Sequence, residues 1–208
     1  MPELIIFGLP PSSYVRTALM VCAAKGVEHR LEPVDFRSPA YRSTHPFGRM
    51  PAMQHGELRL FETLAIASYV DEAFDGPALQ PGTPAERAMM LQWISVTNDY
   101  LYEYIVRRCV QERFVKPMRG LEPDEAAIAA ALPVIESSLD TLDAALVTKR
   151  HFCGDQLTLA DLFAAPVLAY FAATPEGKAT LPQRENLSNW LENMRSVPGF
   201  EQINRMGP

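Results

Sequence analysis

LIIFGLPPSSYVRTALMVCAAKG, residues 4–26, changes its hydrophobic period once. Leu4–Phe7 is a short apolar run stopped by Gly8, which predicts a buried strand ending at a turn. From Tyr14 the apolar positions Val15, Ala18, Leu19, Cys22 and Ala23 fall three and four apart, which predicts a helix closed by Lys25 and Gly26. Three hydroxyls, on Ser12, Ser13 and Tyr14, crowd the joint between strand and helix. Serine before a helix is a common N-cap, so the residues alone leave open whether these hydroxyls cap or do chemistry.

Working outward, VEHRLEPVDF (27–36) alternates enough to be a second strand, parallel to the first because a crossover helix joins them. A polar loop with a single helical turn follows, punctuated by proline and glycine. PAMQ and LRLF then flank His55-Gly56-Glu57, the pattern of a tight antiparallel hairpin. Helical spacing returns in ETLAIASYVDEAF (62–74), with Leu64, Ala67, Tyr69, Val70 and Phe74 expected to face inward. DGPALQPGTP (75–84) carries three prolines and two glycines, a linker composition. The expected division is an α/β domain over 1–76, a linker over 77–85 and an all-helical domain over 86–208.

Past the linker the periodicity predicts a long helix from Ala85 to Phe114 or beyond. A second helix follows, with Ile128, Leu132, Ile135, Leu139, Leu142 and Leu146 inward, and Pro133 should bend or restart it. QLTLADLFAAPVLAYFAA (156–173) leaves almost no polar face and is expected at the centre of the helical domain. Thr158 and Asp161 are spaced as a capping box, so Asp161 is expected to be structural. A last helix near 186–195 should bury Leu187, Trp190, Leu191 and Met194.

The 208 residues are 48% apolar, enough for a real core, and carry 19 basic against 25 acidic residues, a net charge of −6 that gives no pull toward nucleic acid. Cys22, Cys109 and Cys153 are odd in number and widely spaced, which describes neither a disulfide framework nor a CxxC pair and points to a reducing, cytoplasmic setting. No export signal and no membrane-spanning run are read, so neither membrane nor nucleic acid is an expected partner. No metal is expected either, because His151 and Cys153 lack a further ligand pair and His29, His45 and His55 fall in the other domain. The signature strings of nucleotide, dinucleotide, serine-hydrolase and zincin sites are missing. What remains are PPSSYVR, FGRMPAM and FET, each at a place where backbone donors are left unpaired.

In these segments the chain resembles the cytosolic glutathione transferases, of the serine type similar to the plant phi and insect delta groups and bacterial relatives. HPFGRMPAM (45–53) is similar to the family's Asn-Pro-x-Gly-x-x-Pro loop. LRLFETLAIASYV (58–70) is similar to its strand and Glu-Ser helix start, and GDQLTLADLFAAP (154–166) to its helical capping motif. The resemblance covers essentially the whole chain and implies a thioredoxin-like N-terminal domain followed by an all-helical C-terminal domain. It implies that Ser12, or Ser13 if the turn is offset by one, directs its hydroxyl at the sulfur of glutathione. Pro51 matches the family's cis-proline, with the Met50 backbone pairing to the cysteinyl part, and Glu62 and Thr63 match the pair that holds the γ-glutamyl group. Two departures stand out: His45 replaces the usual Asn, and Arg49 a usual Gln or Lys, so Arg37, Arg42, His45 and Arg49 are all open as partners of the glycine carboxylate. For the second substrate the resemblance implies Tyr14, Phe36, Tyr100, Tyr104 and Phe114, and it implies a homodimer.

The implied chemistry is attack of a glutathione thiolate on a small hydrophobic electrophile, with glutathione as co-substrate and no tightly bound cofactor. A peroxidase or isomerase using the same thiolate, or a noncatalytic dimerisation or protein-interaction module on the same fold, are the alternatives. Arg16 is expected to tie the first domain to the helical one by salt bridges. No cysteine stands at the first turn of the first helix, which argues against the cysteine-type members that reduce disulfides.

Overall fold

The computed structural model describes residues 2–201. The chain divides into two units, one running through Gln80 and rejoined by the segment from Val197, the other spanning Pro81–Ser196.

In the first unit, β1 (Leu4–Phe7), β2 (His29–Glu32), β3 (Ala52–His55) and β4 (Leu58–Phe61) form one sheet in the order β2-β1-β3-β4. β1 pairs parallel with β2 and antiparallel with β3, and β3 pairs antiparallel with β4 through the Gly56-Glu57 turn. Leu4 and Ile6 alternate into the core while Ile5 and Phe7 are half-buried. The crossover helix α1 (Ser13–Lys25) starts one residue earlier than its apolar period indicates, because Ser12 caps it. It ends where Gly26 takes φ 72° and donates its N–H back to the carbonyls of Cys22 and Ala23. Burying Val15, Leu19, Met20 and Val21 on this helix contributes about 1.5–3 kcal/mol per side chain. Gly8 is required by closeness: a Cβ there would stand 2.3 Å from Val15 Cγ2.

A 3-10 turn over Ala40–Ser43 is the helical turn expected in the loop. The helix α2 (Thr63–Ala73) packs against α1, and its inward stripe corrects the expected one. Ile66, Ala67, Val70 and Asp71 are buried, whereas Leu64, Tyr69 and Phe74 are half-buried. Asp71 belongs to the stripe because Lys25, at the end of α1, neutralises it at 3.1 Å. The segment from Val197 closes on α1: a Cβ on Gly199 would meet Ala23 Cβ at 2.9 Å, and Phe200 is buried.

In the second unit, α3 (Pro84–Val96) starts at the Thr83 cap. It runs on through Thr97–Val115, wound with the wider i→i+5 hydrogen bonding of a π-helix, into the short turn α4 (Lys116–Met118). The sequence period predicts an α-helix throughout. Instead Thr97, Leu101, Ile105 and Cys109 go inward at steps of four, a spacing that the wider turn also accommodates. α5 (Glu125–Ala145) continues unbroken through Pro133, so this proline marks no restart. α6 (Leu159–Ala173) is buried on nearly every side, flanked by α3 and the π-wound segment, and α8 (Glu185–Met194) lies against α5 and α6 after the short α7 (Pro175–Thr180). Leu187, Trp190 and Met194 are buried and Leu191 is half-buried. Phe152 sits between Trp93 and Trp190, ring centroids 5.2 and 5.0 Å away. Among the described residues no helix is long and apolar enough to cross a membrane.

Candidate active site

Strand register alone assembles the candidate site. Ala52 of β3 lies opposite Phe7 of β1 on one side and Phe61 of β4 on the other. Gly8, Pro51 and Glu62, the next residues along each strand, therefore emerge at the same end of the sheet. Both helices of the unit begin there, α1 at Ser13 and α2 at Thr63, so two positive helix ends serve one region.

The β1–α1 turn is fixed by its own hydrogen bonds. Ser12 N–H donates to the Leu9 carbonyl at 3.0 Å, and buried Arg16 donates from Nε to the Pro10 carbonyl at 2.9 Å. Leu9 N–H reaches Met50 Sδ at 3.3 Å, which ties the turn to the loop before β3. The two serines differ. Ser12, in extended backbone and half-buried, accepts a long hydrogen bond from Val15 N–H at 3.4 Å. Ser13 is only 5% exposed. The Met50–Pro51 peptide is cis, as the resemblance implies.

Glu62 is the one non-glycine residue with positive φ among those described, at 72°. Its carboxylate is exposed, while its carbonyl accepts the first hydrogen bond of α2 from Ile66 N–H, and Thr63 beside it is buried. A side chain held in the left-handed region is a small local strain of about 1–3 kcal/mol, concentrated where a ligand-facing residue is expected. Nothing in the local sequence signals it.

Around this end lies the loop 36–50. Arg37 sets its guanidinium 5.4 Å from the Phe36 ring centroid, and Arg42 donates to the Pro46 carbonyl at 3.4 Å. Arg37, Arg42 and Arg49 are exposed. His45 is not: it is 2% exposed, its ring 5.1 Å from Phe61 and 6.4 Å from Phe47 and Tyr41. Burial pushes its imidazole below the ordinary histidine range, with Arg49 adding to the depression and the charge of Glu62 opposing it. Among the described residues neither His45 Nδ1 nor the Tyr41 hydroxyl has a hydrogen-bond partner, and no local pattern of residues signals this.

Of the expected second-substrate residues, Tyr14 and Phe36 are half-buried members of the first unit. Tyr104 and Phe114 are half-buried and Tyr100 is exposed in the second. Cys22 is no nucleophile, because burial pushes its thiol up to about 12. Thr158 and Asp161 form the capping box at the start of α6, with Asp161 Oδ2 accepting from Thr158 N–H and Oγ1–H, both at 3.0 Å. Among the described residues no group of three or more His, Cys, Asp or Glu side chains is placed to hold a metal ion.

A mixed four-stranded sheet with this cis-proline loop, followed by a helical unit, defines a thioredoxin-like domain joined to an all-helical one. Residues 2–72 match the family profile described as "Glutathione S-transferase, N-terminal domain", and residues 125–193 that of the "Glutathione S-transferase, C-terminal domain". Glutathione S-transferase F9 of Arabidopsis thaliana is 30% identical over 195 residues, which is 90% of each chain. The crystal structure of glutathione transferase F7 from Populus trichocarpa superposes with a TM-score of 0.90 at 28% identity, over 99% of both chains. A theta class glutathione S-transferase from Xanthomonas axonopodis pv. citri, solved with glutathione bound, gives 0.85 at 30% identity over 97% of both. The chain belongs to the glutathione S-transferase family, a family of glutathione-binding transferases.

Proposed function

We propose that this protein binds glutathione at the sheet end where Ser12, Pro51 and Glu62 emerge and transfers it to a small hydrophobic electrophile. In this reading the Met50 backbone pairs with the cysteinyl residue, and Glu62 and Thr63 hold the γ-glutamyl ammonium and carboxylate. The exposed guanidiniums of Arg37, Arg42 and Arg49 are offered to the glycine carboxylate, with His45 behind them. The observation that carries the reading is the state of Ser12. Its oxygen already accepts from Val15 N–H, which leaves the hydroxyl proton to donate to a sulfur in front of α1. Ser13, nearly inaccessible, is the weaker choice.

A free thiol titrates near about 8.5, so little thiolate exists at neutral pH. A hundredfold shift toward the anion requires about 2.7 kcal/mol. One charge-assisted hydrogen bond of about 1.5–3 kcal/mol, plus a helix-end contribution of about 0.3–1 kcal/mol, meets that requirement. Serine acts as donor and not as base. The thiol proton leaves to solvent, and the sulfur lone pair forms the new S–C bond. In a substitution the leaving group departs with its bonding pair; in an addition the resulting carbanion takes a proton from solvent. Tyr14 and Phe36, half-buried in the first unit, are the residues of that unit we assign to the electrophile.

The protein acts as a homodimer in this reading, supported by the side chain of Phe47, 68% exposed and T-shaped against Phe61 at 6.2 Å. A cytoplasmic setting is supported by three free cysteines. Glutathione titration followed by the ultraviolet absorbance of bound thiolate tests the reading: a thiolate band at neutral pH is expected. Binding without the band favours a noncatalytic module.

A further inference from the structure

His45, one of the two loop residues that depart from the family pattern, is almost fully enclosed, at 2% exposed. The imidazole of His45 sits in a box made by Tyr41, Phe47 and Phe61, with Nδ1 buried and unpartnered among the described residues. Phe61, its nearest ring, is covalently the residue before Glu62, whose backbone stands in the left-handed region. A movement of the imidazole is therefore passed through one packed ring to the Glu62 turn. The titratable and charged groups that act on His45 are Glu62, which favours the imidazolium, and Arg49, which opposes it; Tyr41 packs against it. Burial pushes the Tyr41 hydroxyl up to about 12, so Tyr41 stays neutral over the range in which histidine titrates.

A neutral ring with a buried lone pair or N–H leaves the nearby carboxylate free to face solvent and ligand. An imidazolium enclosed by three aromatic rings has lost most of its hydration and needs a compensating anion. The anion whose charge acts on the ring is Glu62, joined to it through the packed Phe61 side chain. We propose that His45 is a positioning residue for Glu62, and that protonation of its ring draws the Glu62 carboxylate inward, away from the ammonium of the γ-glutamyl group. This rests on the reading that Glu62 holds that group. Glutathione affinity then falls in mild acid, and by linkage glutathione binding expels the proton from His45.

Free glutathione has no titrating group between about pH 5 and 7, but the bound thiol of the proposed function titrates there, so the ligand for this test is S-methylglutathione, which has no thiol proton. The experiment measures the S-methylglutathione Kd by calorimetry across this window for the wild type, His45→Asn, His45→Gln and Glu62→Gln. In parallel the His45 ring protons are followed by NMR with and without S-methylglutathione. The expected result is a loss of wild-type affinity of about fivefold toward the acid end, absent in both His45 variants and in Glu62→Gln. The His45 titration midpoint should fall when S-methylglutathione is added and in Glu62→Gln. Wild-type affinity that is indifferent to pH, or a His45 midpoint unmoved by S-methylglutathione, overturns the proposal. Those measurements need no substituted protein. Failure of the wild type to bind glutathione at about pH 7 contradicts the functional reading itself, and the proposal with it.

Discussion

Lys25 Nζ lies 3.1 Å from Asp71 Oδ1, with both side chains buried, at the point where the ends of α1 and α2 meet the segment that leaves the sheet domain. The ammonium also donates to the Pro77 carbonyl at 3.0 Å. The carboxylate accepts from Leu79 N–H at 2.8 Å and from Gln80 Nε2 at 3.2 Å. Composition marks 75–84 as a linker, but its first half is thus pinned to the first unit. Asp71→Ala leaves a buried ammonium without its counter-charge and is expected to cost about 3–5 kcal/mol in chemical denaturation. Adding Lys25→Met should recover part of that loss, because it removes the stranded charge. A cost below about 1 kcal/mol for the single variant would put this pair with surface ion pairs instead.

Asp161 organises the helical unit more than a cap needs to. Besides Thr158, its Oδ1 accepts from Phe152 N–H at 3.1 Å and from Trp190 Nε1 at 3.0 Å, and the residue is fully buried. Trp190→Phe keeps most of the packing and removes one donor to a carboxylate, so a loss of about 1.5–3 kcal/mol is expected in thermal or denaturant unfolding. Asp161→Ala strands several donors together and should lose more. Equal losses for the two variants would show that the indole ring and not its N–H is what matters.

Arg113 bridges two carboxylates, donating from Nε to Glu176 at 2.9 Å and from Nη2 to Glu125 at 2.8 Å. Burial pushes the Glu176 carboxyl up, yet hydrogen bonding and the charge of Arg113 outweigh it and hold the group below its ordinary value of 4.5. Hydrogen bonding to Arg113 likewise lowers Glu125. A carboxyl depressed on folding contributes stability above its unfolded pKa and loses it as pH falls through the folded one. Arg113→Met is therefore expected to be less stable at neutral pH and to lose less on acidification below about 4.5. Unfolding midpoints measured across that range check this; parallel curves for the two proteins contradict it.

Much of the first unit could be read from residues next to one another in the chain. The switch of period at Gly8, the Gly26 stop and the Gly56 hairpin are local signals, and the observed elements follow them. The inward face of α2 keeps the expected Ala67 and Val70 but takes in Asp71, which is buried by a partner on another helix that no local period contains. The left-handed Glu62 and the orphaned His45 ring depend on strand register and loop packing, so they were equally invisible. In the helical unit the near-total apolarity of α6 marked its central place, and the Thr158–Asp161 spacing marked its cap. The wider winding of Thr97–Val115 had no signal, since its buried positions also suit an α-helix.

The proposed transfer depends on Ser12 donating its hydroxyl proton to a glutathione sulfur held at the start of α1. The direct test is the pH titration of bound thiolate absorbance in the wild type and in Ser12→Ala, with Ser13→Ala alongside. A band already present at neutral pH is expected in the wild type and in Ser13→Ala. In Ser12→Ala the band should appear only about one to two pH units higher, the loss of one charge-assisted hydrogen bond. An unchanged titration in Ser12→Ala would contradict this role of Ser12.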